Sequence, residues 1–344
     1  MSVQKTWSTN WMSAIEDGTS IAEISIPGTH ESCARFGGSA SQCQWFSITQ
    51  QLNRGIRFLD IRCKYETGAD SGRTQGIYFP VYHGTDPFLT SRQNILFEEV
   101  QAQCIAFLAE NPTEFILMNV QMEYGCEQNQ DGCGDQFREK FLELTRPYWA
   151  KYWYMKSSIP LIDDCRGRIV LIRAYDPAAQ TGWGSGIHRG NPVPNRSWPD
   201  GNDGGGLAWN GFNTDGDSTN LHFRTQNGWT LHGTPKGGEV ERHIDAAQAN
   251  ARAGFITLNF ASYAGDSGPG GNAAGMNVRL QNYLRNYRQN GNWGVALGVI
   301  PIDFTGNTGD GNESLENLII EHQAHQDPNT SYSGLPGWLL RADA

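Results

Sequence analysis

Short apolar runs of strand length recur along the chain, separated by helical patterns or by turn-forming residues. In the first, Ile24 and Ile26 alternate with Glu23 and Ser25, the period-two pattern of a half-buried strand. Pro27 cannot donate to a sheet ladder and Gly28 permits a sharp bend, so this strand stops there. Residues 56–63 (IRFLDIRC) form a second run in which Phe58 is flanked by apolar Leu59, as expected of a strand covered on both faces in a parallel sheet. Further strands are predicted over 77–82, 115–120, 168–172, 221–226, 255–260 and 295–302, making eight in all. Between them, residues 47–54 read as a short helix closed by Gly55. Apolar positions 96, 100, 104, 107 and 108 mark one face of a helix over 94–110 that Asn111-Pro112 stops. Helices are also predicted over 136–144, 239–252 and 276–288. Residues 176–220, dense in Gly, Asn, Asp and Pro, predict a long irregular connection, which in a compact domain is usually functional. No composition shift or internal repeat divides the chain, so residues 1–344 are expected to form a single α/β domain, a (β/α) barrel.

Composition narrows this picture. A hydrophobic fraction of 38%, with 11 Trp, 12 Tyr and 15 Phe, supports a sizeable core over most of the 344 residues. The formal net charge of −10 argues against nucleic acid as a partner and against strong attraction to anionic membranes. No apolar run approaches the length of a transmembrane helix. The first twenty residues lack a basic-then-apolar leader, consistent with an intracellular chain or a mature secreted one. Sequons at Asn195, Asn312 and Asn329, with a Gly/Asn/Trp-rich composition, lean towards a secreted or extracellular protein. Of the seven cysteines, Cys33/Cys43 and Cys126/Cys133 close short polar loops and are the local disulfide candidates. Cys63 and Cys104 lie in apolar periodic stretches and read as buried thiols. No CxxC occurs, which makes a thiolate zinc site improbable. No protein partner is implied, and a monomer is expected.

The candidate chemistry lies at the predicted strand ends. His30 and Glu31 follow the first strand, Asp60 and Arg62 end the second, and His83 follows the third. Gln121 and Glu123 follow the fourth, Arg173 the fifth, Asn227 and Trp229 the sixth, Asn259 the seventh and Asp303 the eighth. An isolated His-Glu pair in a turn is usually a satisfied turn histidine; in a barrel, however, these strand ends converge on one mouth. Two histidines, carboxylates to orient them and an arginine suit metal-free phosphodiester chemistry. One imidazole removes a proton from a nucleophile, the other protonates a leaving oxygen, and the guanidinium neutralises charge on the phosphoryl oxygens.

The chain resembles the phosphatidylinositol-specific phospholipases C. The resemblance rests on Ser25-Ile26-Pro27-Gly28-Thr29-His30, Gly55-Ile56-Arg57-Phe58-Leu59-Asp60-Ile61-Arg62, Tyr82-His83-Gly84, Asn111-Pro112-Thr113-Glu114 and Arg166-Gly167-Arg168-Ile169-Val170-Leu171. Trp7 and Trp11-Met12 fit the family's N-terminal region, and the likeness spans about 7 to 304, thinly over 176–255. It implies a distorted (β/α)8 TIM-like barrel that cleaves phosphatidylinositol to diacylglycerol and inositol 1,2-cyclic phosphate, with no cofactor. Carried over by motif, His30 is the general base on the inositol 2-hydroxyl and Asp303 holds its imidazole. His83 is the general acid, supported by Glu31, and Arg62 sits against the phosphate. The implied substrate contacts are Asp60, Gln121, Arg173, Asn227 and Trp229, and the implied partner is a membrane phospholipid met at the lipid–water interface. A basic side chain at Arg62 replaces a carboxylate of the family's calcium-dependent branch, which points to a metal-independent enzyme.

Several positions depart from the family's pattern. Glu31 replaces an aspartate and Gln121 a lysine. Strict alignment puts Ala174 rather than Arg173 at an inositol-binding arginine, and Asn227 and Trp229 replace an aspartate and a tyrosine. The head-group pocket is therefore expected to be remodelled. A metal-dependent glycerophosphodiester phosphodiesterase, or the related sphingomyelinase D type, is the rival enzyme class, disfavoured by Arg62. A non-catalytic lipid- or glycan-binding barrel is the other alternative. His188-Arg189-Gly190 is read as a chance likeness, His322 and His325 as exposed tail histidines, and His222, His232 and His243 have no assigned role. Trp183, Trp198 and Trp209 are candidates for peripheral membrane contact.

Overall fold

The computed structural model describes residues 7–68, 76–84, 91–122, 133–175, 187–188, 207–209, 222–227, 233–263, 265, 267–292, 294–306 and 314–324. Among the described residues a run of neighbouring parallel strands forms the wall: β1 (Ile26–Thr29), β2 (Phe58–Cys63), β3 (Ile116–Met122), β4 (Ile169–Ala174), β5 (Phe223–Gln226), β6 (Ile256–Asn259) and β7 (Val299–Ile302). Their order is β4-β3-β2-β1-β7-β6-β5. The first and last strands are therefore neighbours, paired from Ile26↔Val299 to Thr29↔Ile302. Ile187–His188 adds a parallel edge beside β4, and Leu207–Trp209 an antiparallel edge beside β5. Among the described residues no ladder joins these two edges, so the sheet is a curled, open barrel wall.

Strand parity explains why these segments read as almost continuous apolar runs. Phe58, Leu117, Val170, Ile172, Phe223, Leu258 and Val299 fill the interior. Leu59, Ile61, Met118, Val120, Ile169 and Leu171 point outwards, under α1 (Ile48–Asn53), α2 (Phe97–Glu110) and α3 (Cys133–Thr145). On the other flank Ile300 and Ile302 meet α4 (Gly233–Arg252), α5 (Gly268–Gln289) and α6 (Leu315–Ala324) through Val240, Leu280 and Leu318. Both faces are covered, as a parallel sheet requires. Gly28 is where Phe58 crosses the backbone of β1: a Cβ there would sit 2.8 Å from the Phe58 side chain.

Two sequence motifs serve the closed end of the barrel. Arg57 and Glu114, both fully buried, pair at 2.8 Å. Arg57 also donates to the carbonyls of Leu52, Ile56, Ser8 and Thr9, while Glu114 accepts from the Met12 backbone. Arg166 likewise donates to Met12, Ile15 and Thr113 carbonyls. The N-terminal segment is thus tied beneath the strands by buried guanidinium groups whose donors are satisfied.

Several expectations need correction. The predicted third strand is not a barrel stave: Pro80–His83 pairs antiparallel with Ser91–Leu96 and meets β2 antiparallel at Cys63↔Val81. Residues 94–96 belong to this hairpin, and α2 starts at Phe97. Helices α4 and α5 begin several residues before their periodic stretches, because glycines at 268, 270, 271 and 275 conceal a start that Pro269 favours. Cys33 and Cys43 are free, buried thiols rather than a disulfide; backbone bonds from Cys43 and Gln44 to the Ala34 carbonyl close that loop instead. The buried thiols of Cys63 and Cys104 are as expected. His322 is fully buried beside the Tyr287 ring, not exposed. His325, Cys126 and the sequons lie outside the described residues. Among the described residues no helix is long and apolar enough to cross a membrane.

Candidate active site

The chemistry begins with β2. Interior parity, set by Phe58, continues through Asp60 and Arg62, and register places Asn119 beside Asp60 and Gln121 beside Arg62. Asp60 is buried and fully engaged. Its Oδ1 accepts from Asn119 Nδ2 at 2.8 Å, and its Oδ2 accepts from Arg62 Nη2 at 3.0 Å and from the Glu31 backbone at 3.2 Å. Burial alone would push its carboxyl up; Arg62, His30 and these hydrogen bonds outweigh that and hold it below its ordinary value. Arg62 Nη1 lies 2.8 Å from Glu31 Oε1, so one guanidinium bridges two carboxylates.

His30 and Asp303 come from the ends of adjacent strands. The His30 backbone donates to the Ile302 carbonyl at 3.1 Å. Gln44 Nε2 reaches both the His30 and Ile302 carbonyls at 2.9 Å, clamping the two strand ends together. His30 Nδ1 donates to Asp303 Oδ1 at 2.9 Å, which leaves Nε2 for a substrate. Burial of the imidazole opposes protonation, but the Asp303 charge and hydrogen bond overcome it and raise the His30 pKa. Phe260 packs edge-on against this ring at 6.0 Å. The residues following the pair, Glu31 (φ 44°) and Phe304 (φ 51°), both adopt left-handed backbone. Such conformations cost roughly 1–3 kcal/mol each and gather at functional sites.

His83 arrives from the hairpin. Its Nδ1 lies 2.6 Å from the Ser41 carbonyl, which can only accept, so Nδ1 carries the proton and Nε2 faces Glu31 Oε1 at 3.9 Å. The His30 and His83 rings stand edge to face with centroids 6.3 Å apart. Burial first, and His30 second, push His83 down to about 4. Burial pushes Glu31 up to about 7, against the pull of Arg62 and His30. Of the two groups, Glu31 therefore holds a proton more readily than His83.

The structure sorts the remaining expected residues. Gln121 is buried on the interior rung of Arg62, and that rung continues to Ala174. Arg173 shares its parity with Leu171 and Tyr175, which lie in the outer core, so its expected contact with substrate is corrected: the register turns it away from the mouth. Asn227 is buried and follows Phe223 and Thr225 in interior parity. Asn259 points outwards, donating to the Val240 carbonyl of α4 and accepting from Gln226, so it does not belong to the mouth. Trp229, Glu123, Trp183 and Trp198 lie outside the described residues. Sequence reasoning missed Asn119, Gln44 and Ser41. Of these, Asn119 was findable from parity, two residues before Gln121; the other two act through backbone carbonyls with no sequence signature.

Comparison with known proteins shows what the chain is similar to. Residues 26–175 match the family described as phosphatidylinositol-specific phospholipase C, X domain. The 1-phosphatidylinositol phosphodiesterase of Listeria monocytogenes is 31% identical over 171 residues, a match spanning 47% of each chain. The protein of the same name from Staphylococcus aureus strain Newman is 22% identical over 328 residues, covering 91% of this chain and 93% of that one. Among solved structures, a variant phosphatidylinositol-specific phospholipase C from Staphylococcus aureus superposes with a TM-score of 0.72 at 20% identity, covering 92% of this chain and 96% of its own. The Listeria monocytogenes enzyme gives 0.64 at 23% identity, covering 92% and 98%. The fold is accordingly the distorted (β/α) barrel of these proteins.

Proposed function

We propose, on the premise that residues 26–175 form a phosphatidylinositol-specific phospholipase C X domain, that the chain is a phosphatidylinositol diacylglycerol-lyase. The observation that carries this reading is the pair of facing imidazoles, each with its own carboxylate, with Arg62 paired to the carboxylate that faces His83. In the proposed reaction His30 Nε2 takes the inositol 2-hydroxyl proton and Asp303 stabilises the resulting imidazolium. The 2-oxygen bonds to phosphorus while the bond to the diacylglycerol oxygen breaks, and protonated His83 Nε2 supplies that oxygen's proton. Arg62 neutralises the charge gathering on the phosphoryl oxygens. An entering phosphate anion also raises the His83 pKa, which draws the Glu31 proton onto the imidazole for this step.

The donor set supports a reaction without a divalent cation. Asp60 and Glu31 are both paired with Arg62, and that cation repels a second one. This disfavours the metal-dependent phosphodiesterase alternative, and the complete acid–base set disfavours a purely binding barrel. Ala174 and Asn227 on the interior face support a head-group pocket unlike that of the relatives, so phosphatidylinositol cleavage is proposed with more latitude in the ring substituents. The reading also takes the chain as a single catalytic domain and a monomer acting at a lipid surface. Trp45 and Phe36, 56% and 44% exposed, support that surface contact. Secretion belongs to the proposal too, resting on composition and sequons; the free Cys33 and Cys43 lend it no support.

Phosphorus NMR of phosphatidylinositol incubated with the enzyme in excess chelator tests the proposal. A cyclic phosphodiester product is expected. A strict calcium requirement, or no turnover of any inositol phospholipid, would overturn it.

A further inference from the structure

The thiol of Cys43 has no part in the proton transfers above, yet it stands among the groups that perform them. Its backbone is fixed by a bond to the Ala34 carbonyl and one from the Phe304 amide, both 2.8 Å, and the residue is fully buried. Its Sγ lies 3.8 Å from His83 Nδ1. Ligand atoms of His30, Cys43 and Asp303 all lie within 4.8 Å of one another. A tetrahedral zinc site, with metal–ligand bonds of about 2.0–2.3 Å, needs ligand atoms about 3.3–3.6 Å apart. Shortening the longest edge by about 1 Å and opening the 2.9 Å His30–Asp303 edge by about 0.5 Å converts the observed cluster into three ligands and an open position.

We propose that His30, Cys43 and Asp303 form an inhibitory site for a thiophilic divalent cation of the zinc type. The ligand chemistry selects the metal: sulfur and imidazole favour zinc-like ions over calcium or magnesium, whose preferred ligands are oxygens. Charge balances as well. The thiol proton leaves to solvent and the His30 proton shifts from Nδ1 to Nε2 so that Nδ1 can ligate; the thiolate and the Asp303 carboxylate then neutralise the dication, taking the buried site from one net negative charge to none. His83 keeps its Ser41 hydrogen bond and need not ligate, while Arg62 remains occupied by Glu31 and Asp60. The consequence is direct. The cation takes both the base and the carboxylate that orients it, so His30 can no longer accept the hydroxyl proton. Such a site escapes the CxxC spacing rule because its ligands come from three separate segments.

Cobalt(II) and zinc(II) titrations of the full chain at neutral pH test the inference. One equivalent of cobalt should produce a thiolate-to-cobalt charge-transfer band in the near ultraviolet, which zinc displaces and Cys43→Ser abolishes. Zinc should inhibit turnover, and Cys43→Ser should reduce that sensitivity at least about tenfold, each variant being compared with its own metal-free rate. If Cys43→Ser does not fold, zinc protection of Cys43 from alkylation in the unmodified chain takes its place. No near-ultraviolet band at saturating cobalt, or zinc sensitivity unchanged in Cys43→Ser, overturns the site. The inhibition arm rests on the lyase reading and the cobalt spectrum does not. A chain that binds cobalt through sulfur but turns over no lipid therefore refutes the activity and keeps the site.

Discussion

Replacing Asp303 by Asn tests the acid–base assignment most directly, because the change removes a charge and almost no volume. In the folded protein His30 Nδ1 and Asp303 Oδ1 are 2.9 Å apart, and both side chains are largely buried. When His30 takes a proton, the new imidazolium and the carboxylate lie with charge centres about 4 Å apart. At an effective dielectric of about 20 this is worth about 4 kcal/mol. An asparagine carbonyl keeps a hydrogen bond but not the charge, so about 3–4 kcal/mol of that stabilisation disappears as the transition state forms. At 1.36 kcal/mol per decade, kcat should fall about 10²- to 10³-fold with KM changed little. The sign of the pH effect follows from the same interaction. Asp303 raises the His30 pKa, so its neutralisation should move the acidic limb of kcat/KM, which reports the free base, to lower pH. Steady-state kinetics on phosphatidylinositol in mixed micelles, with a thermal melt to establish folding, measure both. A kcat within threefold of the parent together with an unmoved limb would refute the pairing.

Other substitutions separate the remaining roles. His83→Ala should lower kcat about 10²- to 10⁴-fold on phosphatidylinositol, yet recover substantially on an inositol phosphodiester with an acidic phenol leaving group; His30→Ala should recover on neither. Stability should vary little with pH between about 4.5 and 6.5, because opposing contributions overlap there. Glu31, raised to about 7, contributes stability that is lost as pH rises through that value, whereas His83, lowered to about 4, costs stability as pH falls below its unfolded value. In urea titrations His83→Ala should expose the Glu31 contribution alone, so that stability falls by up to about 3 kcal/mol between pH 4.5 and 7; a flat profile in the variant would exclude the elevated carboxyl. Arg173→Ala should leave KM within about threefold, since its parity is outward; a loss of an order of magnitude or more in affinity would return Arg173 to the substrate. Trp45 packs tilted against Phe304, the neighbour of Asp303, so Trp45→Ala should weaken sedimentation with phospholipid vesicles several-fold while leaving hydrolysis of a soluble substrate intact.

The placement of the candidate side chains was more legible than the architecture around them. His30, Asp60, Arg62 and Asp303 could be placed because strand ends in a barrel converge, and each follows an unmistakable apolar run. Arg173 failed by one residue, and in a strand one residue is a whole face: the same reading that found the strand end could not tell Arg173 from Ala174 without the register. The Pro80–His83 strand failed for a different reason. Its apolar pattern suits a barrel stave and a hairpin arm equally, and only pairing with the polar Ser91–Leu96 segment decides the direction. His83 nevertheless reaches the mouth because the hairpin leans on β2 at Cys63. The start of α5 was hidden because glycine suppresses helix propensity, while packing of Met276 and Leu280 on the sheet outweighs that local preference.

Glu31 was expected to differ from its relatives by one methylene. The geometry makes that difference mechanistic, because a single oxygen, Oε1, faces both Arg62 at 2.8 Å and His83 at 3.9 Å. While ionised, this carboxylate holds Arg62, which also pairs with Asp60, and so in the proposed mechanism competes with an entering phosphate. Once protonated, it loosens Arg62 towards the phosphate and holds the proton that His83 must deliver. Phosphate binding and charging of the acid therefore draw on the same proton. The left-handed backbone at Glu31 fixes the carboxyl between these two groups, and burial brings its pKa to about 7, where both states are populated at neutral pH. A shorter side chain on the same backbone would reach one of these partners less well. In the proposed mechanism Glu31, one of the positions that depart from the family's pattern, is thus the one that couples anion capture to acid catalysis.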